Sequence, residues 1–257
     1  MDERIQRITD DLKCILSTKR LTPAFAGRLF GRMMFASSQY FMRFGRCMLR
    51  AYSRRQHEKR SGWNTQLDEA CKFWLRNVVT GRPREIPISL AQLPVAVSYS
   101  DGEGTGGVGI ALWAPCGTIV GGRMVVPDEI RDIWSRAEAT GDTYDIYELE
   151  AIGPALVLSN FGHLIRNMAW FHFIDNQCAL SSLIKGSSSV LSADCITAYT
   201  SEQVSKLGLW AWYDRVDTKS NPVDGLSRGI LSGEWLLQEI SFPDELLHRL
   251  RSYLGKV

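Results

Sequence analysis

Long apolar runs are missing from this chain of 257 residues. No stretch approaches the roughly 18–20 apolar residues that a helical bilayer span requires. The opening Met1-Asp2-Glu3-Arg4 lacks the apolar core of a secretory signal. Histidine is scarce and cysteine unpatterned: four His (57, 163, 172, 248) and six Cys (14, 47, 71, 116, 178, 195) include no C-x-x-C spacing. That argues against a zinc site and for free thiols in a reducing compartment. Large net charge is absent too, at +2. The balance of 45% apolar and 23% charged residues argues against disorder. The expectation is a soluble intracellular protein, cytoplasmic or nuclear, without a membrane partner.

The small net charge hides an uneven distribution. Residues 1–95 hold 18 Lys and Arg against 8 Asp and Glu, whereas residues 96–257 hold 12 against 20. A basic block suits a polyanion. An acidic block can hold divalent cations, whose charge the count omits.

The basic third reads as helical. Ile5, Ile8, Leu12, Ile15 and Leu16 mark one face of a helix over 3–18. Thr22-Pro23 is an N-cap with proline at the first helical position. It predicts a long helix from 23 to 56, rich in Phe, Met and Arg, with Arg28, Arg32, Arg43, Arg46, Arg50, Arg54 and Arg55 on a solvated face. A third helix is expected over 65–79. These make a small helical bundle over 1–80, and Gly81-Arg82-Pro83-Arg84 opens a linker over 81–93.

The character then changes. β-prone runs at 95–101, 108–113 and 118–126, joined by Gly-rich turns, predict an antiparallel meander. Helices are expected from Pro127 to Trp134 and over 145–160. Met168–Ile174 reads as a strand buried on both faces. Helices over 177–185 and 189–206, a strand over 207–216 and a helical turn over 223–227 follow. Trp210 and Trp212 are expected in the core. The order βββ-α-β-α-β-α is that of a mixed α/β sheet flanked by helices over 94–229, followed by a helical extension over 230–257.

Four carboxylates stand at telling places. Asp101 ends the first strand, Glu148 lies in the first turn of its helix, Asp175 ends the apolar strand, and Asp224 follows Asn221-Pro222-Val223. Sheet ends are where open α/β folds present their sites. Carboxylates a few ångströms apart repel and raise one another's pKa unless cations lie between them. Mg²⁺ suits such oxygens, and two ions about 4 Å apart can activate water and stabilise a leaving oxygen. Of Glu148 and Glu150, helical periodicity puts Glu148 beside the buried stripe of Leu149, Ile152 and Leu156 and leaves Glu150 as a surface charge.

The string Tyr99-Ser100-Asp101-Gly102 with Gly106-Gly107-Val108-Gly109 resembles the opening of a type 1 ribonuclease H. Glu148-Leu149-Glu150-Ala151-Ile152 resembles that family's glutamate helix. Phe173-Ile174-Asp175-Asn176 is similar to its strand-end aspartate, and Asn221-Pro222-Val223-Asp224 to its last acidic segment. The order Asp, Glu, Asp, Asp separates the chain from integrases and transposases, which run Asp, Asp, Glu. Asp175-Asn176-Gln177 through Ser187, and Asp214-Arg215-Val216, resemble the reverse transcriptases of tyrosine-recombinase-type retroelements. Leu21–Arg55 resembles their helical thumb and connection.

The resemblance implies a ribonuclease H-like sheet, three antiparallel strands and then parallel ones. It implies two Mg²⁺ ions, with Mn²⁺ as a substitute, on Asp101, Glu148, Asp175 and Asp224. The reaction would be hydrolysis of the RNA strand of an RNA–DNA hybrid without a small-molecule cofactor. Gly102, Asn176, Lys185, Lys219, Asn221 and Arg228 would lie along the nucleic acid. The polymerase's Y-x-D-D signature is absent, and the nearest acidic pair, Asp10-Asp11, reads as a solvated helix face. No DNA synthesis is expected from this chain alone, and a palm and fingers from the same polyprotein are the implied partners. The family's mobile His is absent between Asp175 and Asp224, where Lys219 or Arg215 could substitute. A non-catalytic hybrid-binding connection module and a decayed retroelement fragment are the alternative expectations.

Overall fold

A computed structural model describes every residue except 1–2, 42–43, 59–61, 82, 84, 86–88, 90–92, 138–144, 232–234 and 255–257. Most of the expected linker therefore lies outside the described residues. The chain divides into two units, Met1–Ile86 and Pro87–Val257.

The first unit is helical. Helix α1 (Glu3–Thr18) buries Ile8, Leu12 and Ile15, the stripe its periodicity marks. Helix α2 (Pro23–Gln39) starts where Thr22 accepts a hydrogen bond from the Phe25 amide. The helix expected from 23 to 56 is broken, and α3 (Leu49–His57) is separate. Two tertiary demands break it. Tyr40 adopts extended backbone, and its hydroxyl donates to the Val78 carbonyl at 2.7 Å. Gly45 takes φ +80°, where a Cβ would come within 2.9 Å of the Phe73 and Trp74 rings. Helix α4 (Thr65–Asn77) is capped by Asn64, whose side chain accepts from the Leu67 amide. Arg55 is not on a solvated face; it is buried, and its Nε donates to the Leu21 carbonyl at 2.7 Å.

The second unit is an α/β structure on one six-stranded mixed sheet. Its strands are β1 (Val95–Gly102), β2 (Gly107–Trp113), β3 (Ile119–Val125), β4 (Ala169–Ile174), β5 (Trp210–Arg215) and β6 (Leu236–Leu237). They lie in the order β5-β4-β1-β2-β3-β6. The meander β1-β2-β3 is antiparallel, while β4, β5 and β6 join in parallel. Strand β6, which pairs with β3, falls in the segment expected to be only a helical extension.

Helices α5 (Asp128–Ala137), α6 (Ile146–Phe161), α7 (Gln177–Lys185), α8 (Leu191–Leu207), the short α9 (Asp224–Ser227) and α10 (Asp244–Leu254) complete the unit. Helix α6 packs on β1 and β2, α8 on α6, and α10 on α8 and α5. The packing of α10 on α8 is fixed by Arg249, whose two terminal nitrogens reach the two oxygens of Glu202 at 2.8 Å each. Helix α6 is buried without interruption from Glu148 to Leu158, because its sequence after Glu150 has no polar side to offer water. Among the described residues no helix is long and apolar enough to cross a membrane.

The sheet's other face is only partly covered. Val223 and Leu226 pack on Ala111, with Tyr99, Trp113 and Trp235 around them. Strand β4 was expected to be buried on both faces, yet Phe171 and Phe173 are half-buried while Trp170 and His172 are buried. On the edge strand β5, Trp212 is 59% exposed rather than in the core.

Candidate metal centre

The parallel pairing of β1 and β4 sets the site. Tyr99 lies opposite Phe173, and their rings stack with centroids 5.1 Å apart. Two residues on along each chain, on the same side of the pleat, come Asp101 and Asp175. Helix α6 supplies the third acid. It rests on the end of β1: a Cβ on Gly102 would come within 2.8 Å of the Leu149 carbonyl carbon and 2.9 Å of the Glu150 amide nitrogen. That close approach, possible only without a side chain at 102, puts Glu150 beside Asp101. One oxygen each of Asp101, Glu150 and Asp175 lies within 4.8 Å of the other two.

The glutamate differs from the one the sequence analysis selects. Glu148 is buried, but it accepts a hydrogen bond from the Ser192 hydroxyl of α8 and lies outside the trio. Glu150 is no surface charge, at 5% exposure. Helical periodicity tells one glutamate from the other only where α6 has a solvent side, and over this stretch it has none. The signal that could have corrected it is the sequence 151–158, Ala-Ile-Gly-Pro-Ala-Leu-Val-Leu, which has no polar residue. With no wet face, the place of each glutamate is set by what the end of β1 touches.

Asp101 is buried and held from two sides. Asn221 donates from Nδ2 to the Ser100 carbonyl at 3.0 Å and lies 3.5 Å from Asp101 Oδ1. The Ser227 hydroxyl donates to Asp101 Oδ2. Asp224 stands outside the trio, partly exposed and ion-paired with Arg228 at 2.7 Å, and its charge still raises the Asp101 pKa.

Electrostatics marks the trio as short of positive charge. Burial, helped by Asp175 and Asp224, pushes Asp101 up to about 6 against the lowering hydrogen bond from Ser227. Burial first, then the charges of Asp175 and Asp101, push Glu150 up to about 9. Among the described residues Glu150 Oε2 is buried with no hydrogen-bond partner. A buried carboxylate oxygen without a donor is costly and calls for a cation or a proton. Three hard oxygen donors around one point, one of them unsatisfied, fit Mg²⁺ or Mn²⁺ by their chemistry.

The residues expected along nucleic acid divide. Lys185, at the end of α7, Lys219, in the turn after β5, and Arg228 are exposed. Asn221 is buried and donates its amide to the Ser100 carbonyl of β1. Gly102 is buried too, and its lack of a side chain serves α6. Asn176 is the N-cap of α7, accepting from the Cys178 and Ala179 amides at 2.9 and 3.0 Å. Ser227 was not singled out by sequence, although it lies three residues beyond Asp224.

Compared with known proteins, the chain matches no family model and no curated protein.

Proposed function

We propose that the second unit is a metal-dependent phosphodiester hydrolase of the ribonuclease H type, acting on the RNA strand of an RNA–DNA hybrid within a retroelement reverse transcriptase. The observation that carries this reading is the convergence of Asp101, Glu150 and Asp175, from β1, α6 and the end of β4, within 4.8 Å. The meander, the two parallel strands and the motif resemblance support it.

Asp101, Glu150 and Asp175 would hold the ions, with Asp224 on the flank. Bound Mg²⁺ would acidify a water and neutralise charge on the phosphate. Asn221 holds the end of β1 through the Ser100 carbonyl, and the Ser227 hydroxyl donates to Asp101, which lowers the cost of ionising it. Gly102 lets α6 approach, so that Glu150 is placed by backbone packing. The exposed Lys185, Lys219 and Arg228 would meet phosphates, giving salt-dependent affinity. Hybrid would be distinguished from duplex DNA by shape and by the ribose 2′-OH.

The test uses the full chain, a labelled RNA–DNA hybrid, duplex DNA and Mg²⁺. Cleavage of the RNA strand alone, lost in Asp175→Asn with an unchanged melting profile, is the expected result. Hybrid binding without cutting would replace the enzyme by a connection module. Unimpaired cleavage by Asp175→Asn would remove the site from the reaction.

A further inference from the structure

We propose that the cleft between α1, α2 and the end of α4 in the first unit is a docking groove for an acidic amphipathic helix of a protein partner. The cleft has a volume of about 780 Å³. Its walls are apolar, with Ile5 and Ile8 from α1, Phe35 from α2 and Val79 from the turn after α4. Phe35 is 55% exposed and Val79 51%. The bundle does not need them for its own core, since Ile8, Leu12 and Ile15 of α1 and Ala26, Leu29 and Met33 of α2 already form the buried stripes. Two large apolar side chains left in water inside one concave surface mark an interaction site.

Charge selects the occupant. Arg4, Arg7 and Arg32 line the cleft, and among the described residues no carboxylate does. Arg32 is paired with Asp11. Arg4 and Arg7 stand one turn apart on α1, both exposed, and the Arg4 guanidinium lies 5.6 Å from the centre of the Phe35 ring. A helix laid in such a groove inserts apolar residues at i, i+3 or i+4, and i+7, and meets rim charges with its flanks. The complementary flanks here are Asp and Glu.

A nucleic acid fits less well. Strand binding uses a row of cations along the phosphates and bare aromatic faces for the bases. This floor is largely aliphatic, and Arg4 already stands against the Phe35 ring. The proposal is independent of the chemistry assigned to the second unit, and either can fail alone.

The experiment displays random peptides of about 15 residues, four helical turns, to the full chain, and measures enriched peptides by fluorescence polarisation. The expected winners carry Asp and Glu around apolar residues at helical spacing. Arg7→Glu and Phe35→Ser, both at exposed positions, weaken their binding at least tenfold, Arg7→Lys retains it, and thermal melts stay unchanged. Enrichment of basic or patternless peptides would overturn the proposal, as would affinity indifferent to both substitutions. It would also be overturned if a single-stranded oligonucleotide proved to be the ligand that the two variants lose.

Discussion

Two polar clusters are buried on the same pair of strands, β1 and β4, and they resolve their burial in opposite ways. Under the helices, His172 is fully buried between two hydroxyls. Ser98 Oγ lies 2.8 Å from Nδ1 and Ser100 Oγ 3.1 Å from Nε2. Trp170 Nε1 donates to Ser98 Oγ at 2.8 Å. Both ring nitrogens of a neutral imidazole are thus used, and burial holds the ring neutral by pulling its pKa down to about 3. At the strand ends, Asp101, Glu150 and Asp175 face one another, with Asp101 and Glu150 pushed the other way and one Glu150 oxygen unsatisfied. A buried polar group that finds its partners inside the protein serves the fold. A carboxylate oxygen that lacks them, gathered with two further carboxylates, can take a cation or a proton. The first cluster therefore reads as structural and the second as the candidate site, although His172 and the two aspartates lie within a few residues on the same strands.

Substitution should separate the two by what is lost. The largest expected effect is on activity. Glu150→Gln should lower hybrid cleavage about a thousandfold, about 4 kcal/mol of transition-state stabilisation, while Glu148→Gln stays within about tenfold, since that residue acts through α8. Single-turnover assays of both variants decide this. Comparable losses would put Glu148 back among the ligands.

The next effect falls on stability alone. His172→Ala should destabilise the second unit by about 3 kcal/mol, combining a cavity with unpaired Ser98, Ser100 and Trp170. Denaturant titration measures it. A loss below about 1 kcal/mol would show that the hydroxyls find other partners, and the satisfied cluster would no longer explain the fold.

How legible these clusters were in the sequence follows from how local their causes are. The meander, the parallel strands and the ends carrying Asp101 and Asp175 were readable, because turn glycines and β-prone runs act over a few residues. The break at 40–48 was not, since the Phe73 and Trp74 rings that demand Gly45 lie nearly thirty residues on. Glu150 was missed for a related reason: a helix buried all round carries no periodic clue to which side meets the sheet. Asn221 is marked by its motif, but nothing local says that its amide turns inward to Ser100. Trp212 was placed in the core by its type, while its exposure follows from β5 being an edge strand.

A third test exploits the opposite pKa directions. Asp101 and Glu150 retain protons in the folded chain up to about 6 and 9, while their unfolded forms release them near 4. Between those values the folded state binds more protons, so metal-free stability should fall as pH rises through the window. Between pH 6.5 and 8 the proton retained on Glu150 alone sets a ceiling of about 2 kcal/mol. Relaxation and water entry reduce that to about 1 kcal/mol, a drop of about 2–4 °C in the melting temperature of the second unit. Mg²⁺ should restore more at pH 8 than at pH 5, and Glu150→Gln should flatten the metal-free profile. His172 works in reverse: its neutral form contributes stability above about 6.5, lost as pH falls toward 3. Above about 6.5, where His172 is neutral folded and unfolded alike, a metal-free melting temperature that climbs toward pH 8 would contradict the unsatisfied cluster.

The smallest effect sharpens the boundary between the clusters. Ser227 touches Asp101 as Ser98 touches His172, by a single hydroxyl, but its partner is a group expected to bind an ion. Its hydroxyl also lies 2.8 Å from the Asp224 carbonyl, so α9 itself supplies an alternative acceptor. Asn221 remains to hold the end of β1 when that hydroxyl is removed. Ser227→Ala should therefore leave the fold intact and weaken Mn²⁺ or Mg²⁺ binding about tenfold, the usual cost of losing a group that orients a ligand. Calorimetric titration reads the affinity and a thermal melt reads the fold. If the variant melts early and binds metal as well as the parent chain does, Ser227 belongs with Ser98 and His172, as part of the packing.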